Sequence, residues 1–133
     1  MNIKIHDLIE AEYKKLLIEK LRKFEGIKYE SYSDDHGIPT IGVGFALIIK
    51  LKANIFRFST KIFNEFKNLG INLSSYEKDQ VKNILNKIVY YLNNNSNVED
   101  VVKKDFTKKC LLKMPKSFKL NDKQIAKMLD KKI

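Results

Sequence analysis

The chain changes its hydrophobic period between Lys28 and Ile49, and this change constrains the fold more than any other feature. Upstream, Leu8, Ile9, Tyr13, Leu16, Leu17, Leu21 and Phe24 recur at three- and four-residue spacing behind Asp7, a suitable N-cap. That spacing puts them on one stripe of a helix of about 18 residues. Gly26 follows, and glycine accepts the positive φ at which helices commonly end, so Glu25 falls at the last turn or just beyond it. Downstream, Tyr29, Ser31, Tyr32, Thr40, Ile41, Val43 and Phe45 are residue types that favour strands. Ser33-Asp34-Asp35-His36-Gly37 has turn chemistry, and Pro39 belongs to an edge strand or a turn. The pattern predicts two or three antiparallel strands with Asp34 in the first hairpin loop. Gly42 and Gly44 inside the strand pattern predict a bulge or a close backbone approach.

Lys50 to Ser59 fits no template. After it, helical punctuation returns. Thr60 is placed to cap a short helix through Ile62, Phe63, Phe66 and Leu69, closed by Gly70. Ser74 and Glu77 have capping-box spacing ahead of Val81, Ile84, Leu85, Ile88 and Val89. Asn93 to Asn97 reads as a loop, and a further helix is predicted on Val98, Val101, Val102, Phe106 and Cys110. Pro115 breaks it, and Asn121 to Gln124 caps a last helix through Ile125, Met128 and Leu129. The expected class is α+β: an N-terminal helix, a small antiparallel β-sheet, then several short helices. Residues 1–59 form the helix-plus-sheet portion and 60–133 the helical portion, whose stripes must pack on each other or on the first portion.

A chain of 133 residues, 44% apolar with eight Phe and six Tyr, can bury a core without disulfides. Cys110 is the only cysteine, so no intrachain disulfide is expected, and a buried structural role suits it. His6 and His36 have no ligand partners at zinc-like spacing, so no metal site is expected. The longest apolar run, Ile41 to Ile49, falls short of a membrane span. The polar start, Met1 to Asp7, does not read as a secretory signal, and synthesis in the cytoplasm is expected. The net charge of +10 draws the protein towards polyanions, but its lysines are spread over every helix. No nucleic-acid module is recognisable. A monomer is expected.

Two carboxylates and a hydroxyl flank the glycine-bearing turn: Glu25, Asp34 and Thr40. A carboxyl pressed between a helix end and a sheet loses water, which raises its pKa and lets it act as a general acid. Taken singly, each has an ordinary explanation. Glu25 also reads as a solvent-facing helix end, Asp34 (with Asp35 beside it) as a turn-former, and Thr40 as a strand residue.

Phe24-Glu25-Gly26, Tyr32-Ser33-Asp34, Gly37 and Thr40-Ile41-Gly42-Val43-Gly44 together resemble the catalytic segment of phage-type lysozymes, the muramidases of glycoside hydrolase family 24. The resemblance is ungapped over roughly residues 16–46. It implies a lysozyme-like fold and hydrolysis of the β-1,4 bond between N-acetylmuramic acid and N-acetylglucosamine in bacterial peptidoglycan. Glu25 would be the general acid, while Asp34 with Thr40 would hold the attacking water. The family inverts configuration, which calls for carboxyl groups about 6.5–9.5 Å apart, and the resemblance implies that no cofactor or metal is needed. A protein of this kind acts on the wall once released.

Three departures accompany the match. Phe45 stands where the family often has His. Lys50 to about Ser117 does not resemble the family's usual short link and reads either as an insertion or as a divergent replacement for part of the helical lobe. Phe118 to Asp130 looks like the helix that follows the sheet in the family, yet Ile133 arrives before the larger helical lobe expected after it. Two expectations follow: an active muramidase whose helices beyond residue 60 supply the second wall of the cleft, or a truncated, inactive relative that binds wall glycan or other polyanions.

Overall fold

The computed structural model describes residues 12, 13, 15, 16, 28–52 and 55–132. The rest of the predicted N-terminal stripe, with Glu25 and Gly26, lies outside them, as does the side chain of Leu129. Glu12, Tyr13, Lys15 and Leu16 have helical backbone, in line with the first predicted helix. Tyr13 and Leu16, expected on its buried stripe, are exposed instead.

The architecture is α+β. Strands β1 (Lys28–Ser33), β2 (Pro39–Gly42) and β3 (Phe45–Ala46) form an antiparallel sheet in the order β1-β2-β3. Tyr32 pairs with Thr40, Ser33 with Pro39 and Ile41 with Phe45. β1 also takes a bridge on Glu30 from Lys119, and Leu120 N–H donates to Tyr29 O at 2.8 Å, so the 118–120 segment lies along β1. The unassigned stretch resolves into a second antiparallel pair, β4 (Ile49–Lys52) and β5 (Ile55–Arg57). Helices α1 (Lys61–Asn68), α2 (Ser75–Asn94), α3 (Asp100–Leu111) and α4 (Asp122–Lys132) follow.

Local chemistry explains three of the helix ends. Gly70, at φ +93, closes α1 with Gly70 N–H on Lys67 O and Ile71 N–H on Phe66 O, which is the Schellman pattern. Ser74 and Glu77 form a complete capping box at the start of α2. The Glu77 carboxylate also accepts from the Ser117 hydroxyl, and this bond, ahead of those from Ser74, holds its pKa below the ordinary value. Asn121 and Gln124 exchange the same reciprocal pair of bonds before α4.

Three expectations are corrected. Thr60 makes no side-chain cap; Ser59 Oγ accepts from Lys61 N–H instead. α2 continues through Asn94, so Asn93 is helical rather than looped. α3 starts at Asp100, which leaves Val98 in the preceding loop and turns Val101 and Val102 to solvent. The buried face of α3 is Thr107, Cys110 and Leu111, with Phe106 half-buried.

One apolar cluster joins sheet and helices: Ile41, Leu47 and Ile48 share it with Phe66, Leu85, Ile88, Phe118, Ile125 and others. Phe66 meets Phe118 edge-to-face at 4.7 Å, and Tyr91 of α2 stacks on Phe106 of α3 at 3.8 Å. Gly42 is the close approach that its position predicted. At φ +66, a Cβ there would fall 2.8 Å from Met128 Sδ and 2.9 Å from Leu120 Cδ1. Cys110 is buried and unpaired by any disulfide, and burial pushes its thiol pKa up, which suits a core side chain rather than a nucleophile.

Candidate functional site

Asp34 begins the loop between β1 and β2, as the turn chemistry predicted. Its Oδ1 accepts two backbone N–H groups, from His36 and from Ile38, each at 2.8 Å. Asp34 N–H donates to Ile38 O at 3.0 Å and Gly37 N–H to Asp34 O at 3.2 Å, so carboxylate and backbone together close the loop. This is the local bonding that makes Asp common in turns, and it fixes one carboxylate oxygen in place.

The loop does not stand free. It is seated on α3 by contacts between residues about 70 positions apart. Gly37, at φ +81, comes so near the helix that an added Cβ would fall 2.7 Å from Lys103 Cβ and 2.9 Å from its carbonyl carbon. Thr107, fully buried, donates its hydroxyl to Gly37 O at 2.6 Å. At the exposed rim, His36 Nδ1 lies 2.8 Å from Asp100 Oδ2 and Lys104 Nζ lies 3.2 Å from Asp35 Oδ1. Glycine serves here for both reasons available to it, a positive φ and the absence of a side chain.

A groove of about 720 Å³ runs between β1 and α3. Glu30, Asp34 and Asp35 line it from the strand and its loop, and Lys104, Lys108 and Lys116 line it from α3 and the turn that follows. Leu111, Met114 and Phe118 add apolar surface. Acidic groups from one element and basic groups from another, over apolar contacts, suit a polar ligand with apolar faces.

Thr40 lies on β2, 5% exposed, and is not among the groove-lining residues. Its hydroxyl donates to Ile38 O at 3.0 Å. Asp34 and Thr40 are thus joined through one residue: the carboxylate takes the N–H of Ile38 and the hydroxyl binds its carbonyl. Glu25 lies outside the described residues. Among those residues, no cluster of three or more His, Cys, Asp or Glu side chains has the arrangement of a metal site.

Sequence reasoning found Asp34 but not the residues that seat it. Thr107, Lys104, Lys108 and Asp100 belong to a distant helix, and Gly37 read only as turn chemistry. The His36 contact has a measurable consequence. The hydrogen bond to Asp100, then the charges of Asp100 and Asp34, raise the His36 pKa above 6.5. A group whose folded pKa is raised stabilises the fold fully below its unfolded pKa and loses that contribution as pH rises through the folded value. The stability difference between the parent and His36→Gln is therefore expected to be largest below about pH 6.5 and to fade on the alkaline side. Urea melts across that range measure it; a difference independent of pH would assign His36 a packing role only. The effect is small, because both partners are exposed.

No family model matches the chain, and neither a curated protein nor a solved structure matches it.

Proposed function

We propose that the protein is a peptidoglycan muramidase of the phage-lysozyme type and that the groove between β1 and α3 receives the glycan. One observation carries this reading. Asp34, the second carboxylate of the ungapped Glu25–Asp34–Thr40 segment, borders a groove of sugar-binding size and is held there by two backbone N–H groups. In this reading Glu25 protonates the glycosidic oxygen as the bond to the anomeric carbon breaks. Asp34 orients a water on the opposite face and takes its proton as the new C–O bond forms. Water is consumed, one new reducing end appears, and the anomeric configuration is inverted. α3 and the 112–118 turn supply the far wall of the groove, so residues beyond 60 take the part that the resemblance gives to a second helical lobe.

A second reading has an observation of its own. Thr40 gives its hydroxyl proton to Ile38 O and does not line the groove, whereas three lysines do. A catalytically silent binder of anionic wall glycan fits those facts.

Incubation with purified peptidoglycan separates the two. The muramidase releases new reducing ends from muramic acid residues, first as the α-anomer because the β bond is inverted. The binder co-sediments with the wall, detaches as salt screens the lysines, and releases none. Folded protein that releases no reducing ends would exclude the enzymatic reading.

A further inference from the structure

We propose that the β4–β5 hairpin is an interfacial anchor that docks the protein on an anionic lipid bilayer. The hairpin is exposed along the whole of β4. It presents Ile49, Leu51 and Ile55 to solvent at 39%, 53% and 47% exposure, although each belongs to a residue type usually found inside. Lys50 and Lys52 alternate with Ile49 and Leu51 and so leave β4 on its other side, from which their long side chains can reach round to headgroups, while Arg57 pairs directly across from Ile49. No Asp or Glu occurs from His36 to Asn64, so the hairpin itself carries charges of one sign only, unlike the groove.

The hairpin is mounted rather than loose. Asn93 of α2 behaves as a further strand partner: its Oδ1 accepts from Phe56 N–H at 2.7 Å and its Nδ2 donates to Phe56 O at 2.9 Å. The half-buried Phe56 packs against the apolar cluster. The exposed aliphatic side chains thus stand on a fixed base.

Charge and side-chain type together select the occupant. A bilayer interface takes both components at once: the aliphatic side chains enter the acyl boundary, and the cations remain among anionic headgroups. A nucleic acid would use the cations but gain nothing from Ile and Leu, since bases are held by aromatic stacking and polar edges. A second copy paired along the same edge would bring two sets of Lys50, Lys52 and Arg57 together, and such lysines oppose edge-to-edge pairing. Among the described residues no helix is long and apolar enough to cross a membrane, and two strands of four and three residues reach only the surface layer.

The chain has no tryptophan, so Leu51→Trp introduces a single reporter at an exposed position. Full-length Leu51→Trp is titrated with vesicles of an equal mixture of phosphatidylcholine and phosphatidylglycerol, and with phosphatidylcholine alone. The expected result is a blue-shifted emission and co-sedimentation with the mixed vesicles only. In the otherwise unaltered chain, Lys50→Gln with Lys52→Gln weakens sedimentation about 25-fold, at about fivefold per lysine. Leu51→Ser with Ile55→Ser abolishes it in protein shown to be folded by circular dichroism. Emission that stays at its aqueous position overturns the proposal. So does a serine double variant that binds like the parent, which would mean electrostatic adsorption alone. A hairpin-dependent dimer without vesicle binding, or a preference for a DNA duplex over the vesicles, overturns it as well. None of these readouts depends on muramidase activity.

Discussion

Gly37→Ala is expected to lower stability by about 3–6 kcal/mol, the sum of three separable effects. A non-glycine residue at φ +81 costs about 1–2 kcal/mol by itself. The new methyl group then meets Lys103 at 2.7–3.0 Å, and two of the three atoms that it meets are backbone. A helix backbone cannot rotate aside as a lysine tip can, so loop and helix must separate, at the roughly 1–3 kcal/mol typical of overpacking. Separation stretches the 2.6 Å bond from Thr107 to Gly37 O, worth about 1 kcal/mol. Gly70→Ala is the internal control. Gly70 has an equally positive φ of +93, but a Cβ there would meet only Gln124 Nε2, at 3.6 Å. That variant should lose only the backbone cost of about 1–2 kcal/mol. Urea unfolding of the two variants beside the parent isolates the contact with α3. Equal losses would mean that the loop is not clamped to the helix. Against a typical domain stability of about 5–15 kcal/mol, the larger loss is enough to populate the unfolded chain.

The same residues show how far the sequence could be read. Gly70, the Ser74–Glu77 box and the Asn121–Gln124 pair were legible because each is a bond between neighbours in sequence, with a fixed spacing. The β1–β2 hairpin and the place of Asp34 in its loop were legible for the same reason. β4 and β5 were not. Their alternation of Ile49, Lys50, Leu51 and Lys52 is covered on neither face, and the partner that mounts them, Asn93, lies 37 residues away. Val101 and Val102 misled the reading of α3 because three valines mimic a stripe, whereas the buried face is set by Thr107, Cys110 and Leu111. Thr107 is a polar residue in a core position, which no apolar pattern detects. It is buried because it satisfies a carbonyl 70 residues earlier. The candidate site divides along the same line. Asp34 and its cradle are local, while the basic wall of the groove comes from a helix that only the tertiary fold brings near.

Glu25→Gln and Asp34→Asn are each expected to reduce the release of reducing ends by about a hundred- to ten-thousandfold, the range typical of a lost general acid or base. Asp34 gives the sharper test. Two backbone N–H groups depend on its Oδ1, so Asp34→Ala would disturb loop and chemistry together and could not tell them apart. Asparagine keeps an acceptor oxygen of nearly the same shape and removes only the charge and the basicity. The bonds from His36 and Ile38 persist, and a urea midpoint close to the parent's establishes that the loop is intact. Activity lost from an intact loop then assigns the carboxylate a chemical role. Activity retained in Asp34→Asn would reduce Asp34 to a turn-former and leave the lysine-lined groove as a binding surface. Glu25→Gln supplies the complementary test, since glutamine can still donate a hydrogen bond but cannot transfer a proton to the leaving oxygen. If Glu25→Gln is silent while Asp34→Asn keeps only a trace of activity, both halves of the acid-and-water mechanism are needed. If both variants match the parent, any hydrolysis observed originates elsewhere in the molecule and the proposed assignment of the segment is wrong.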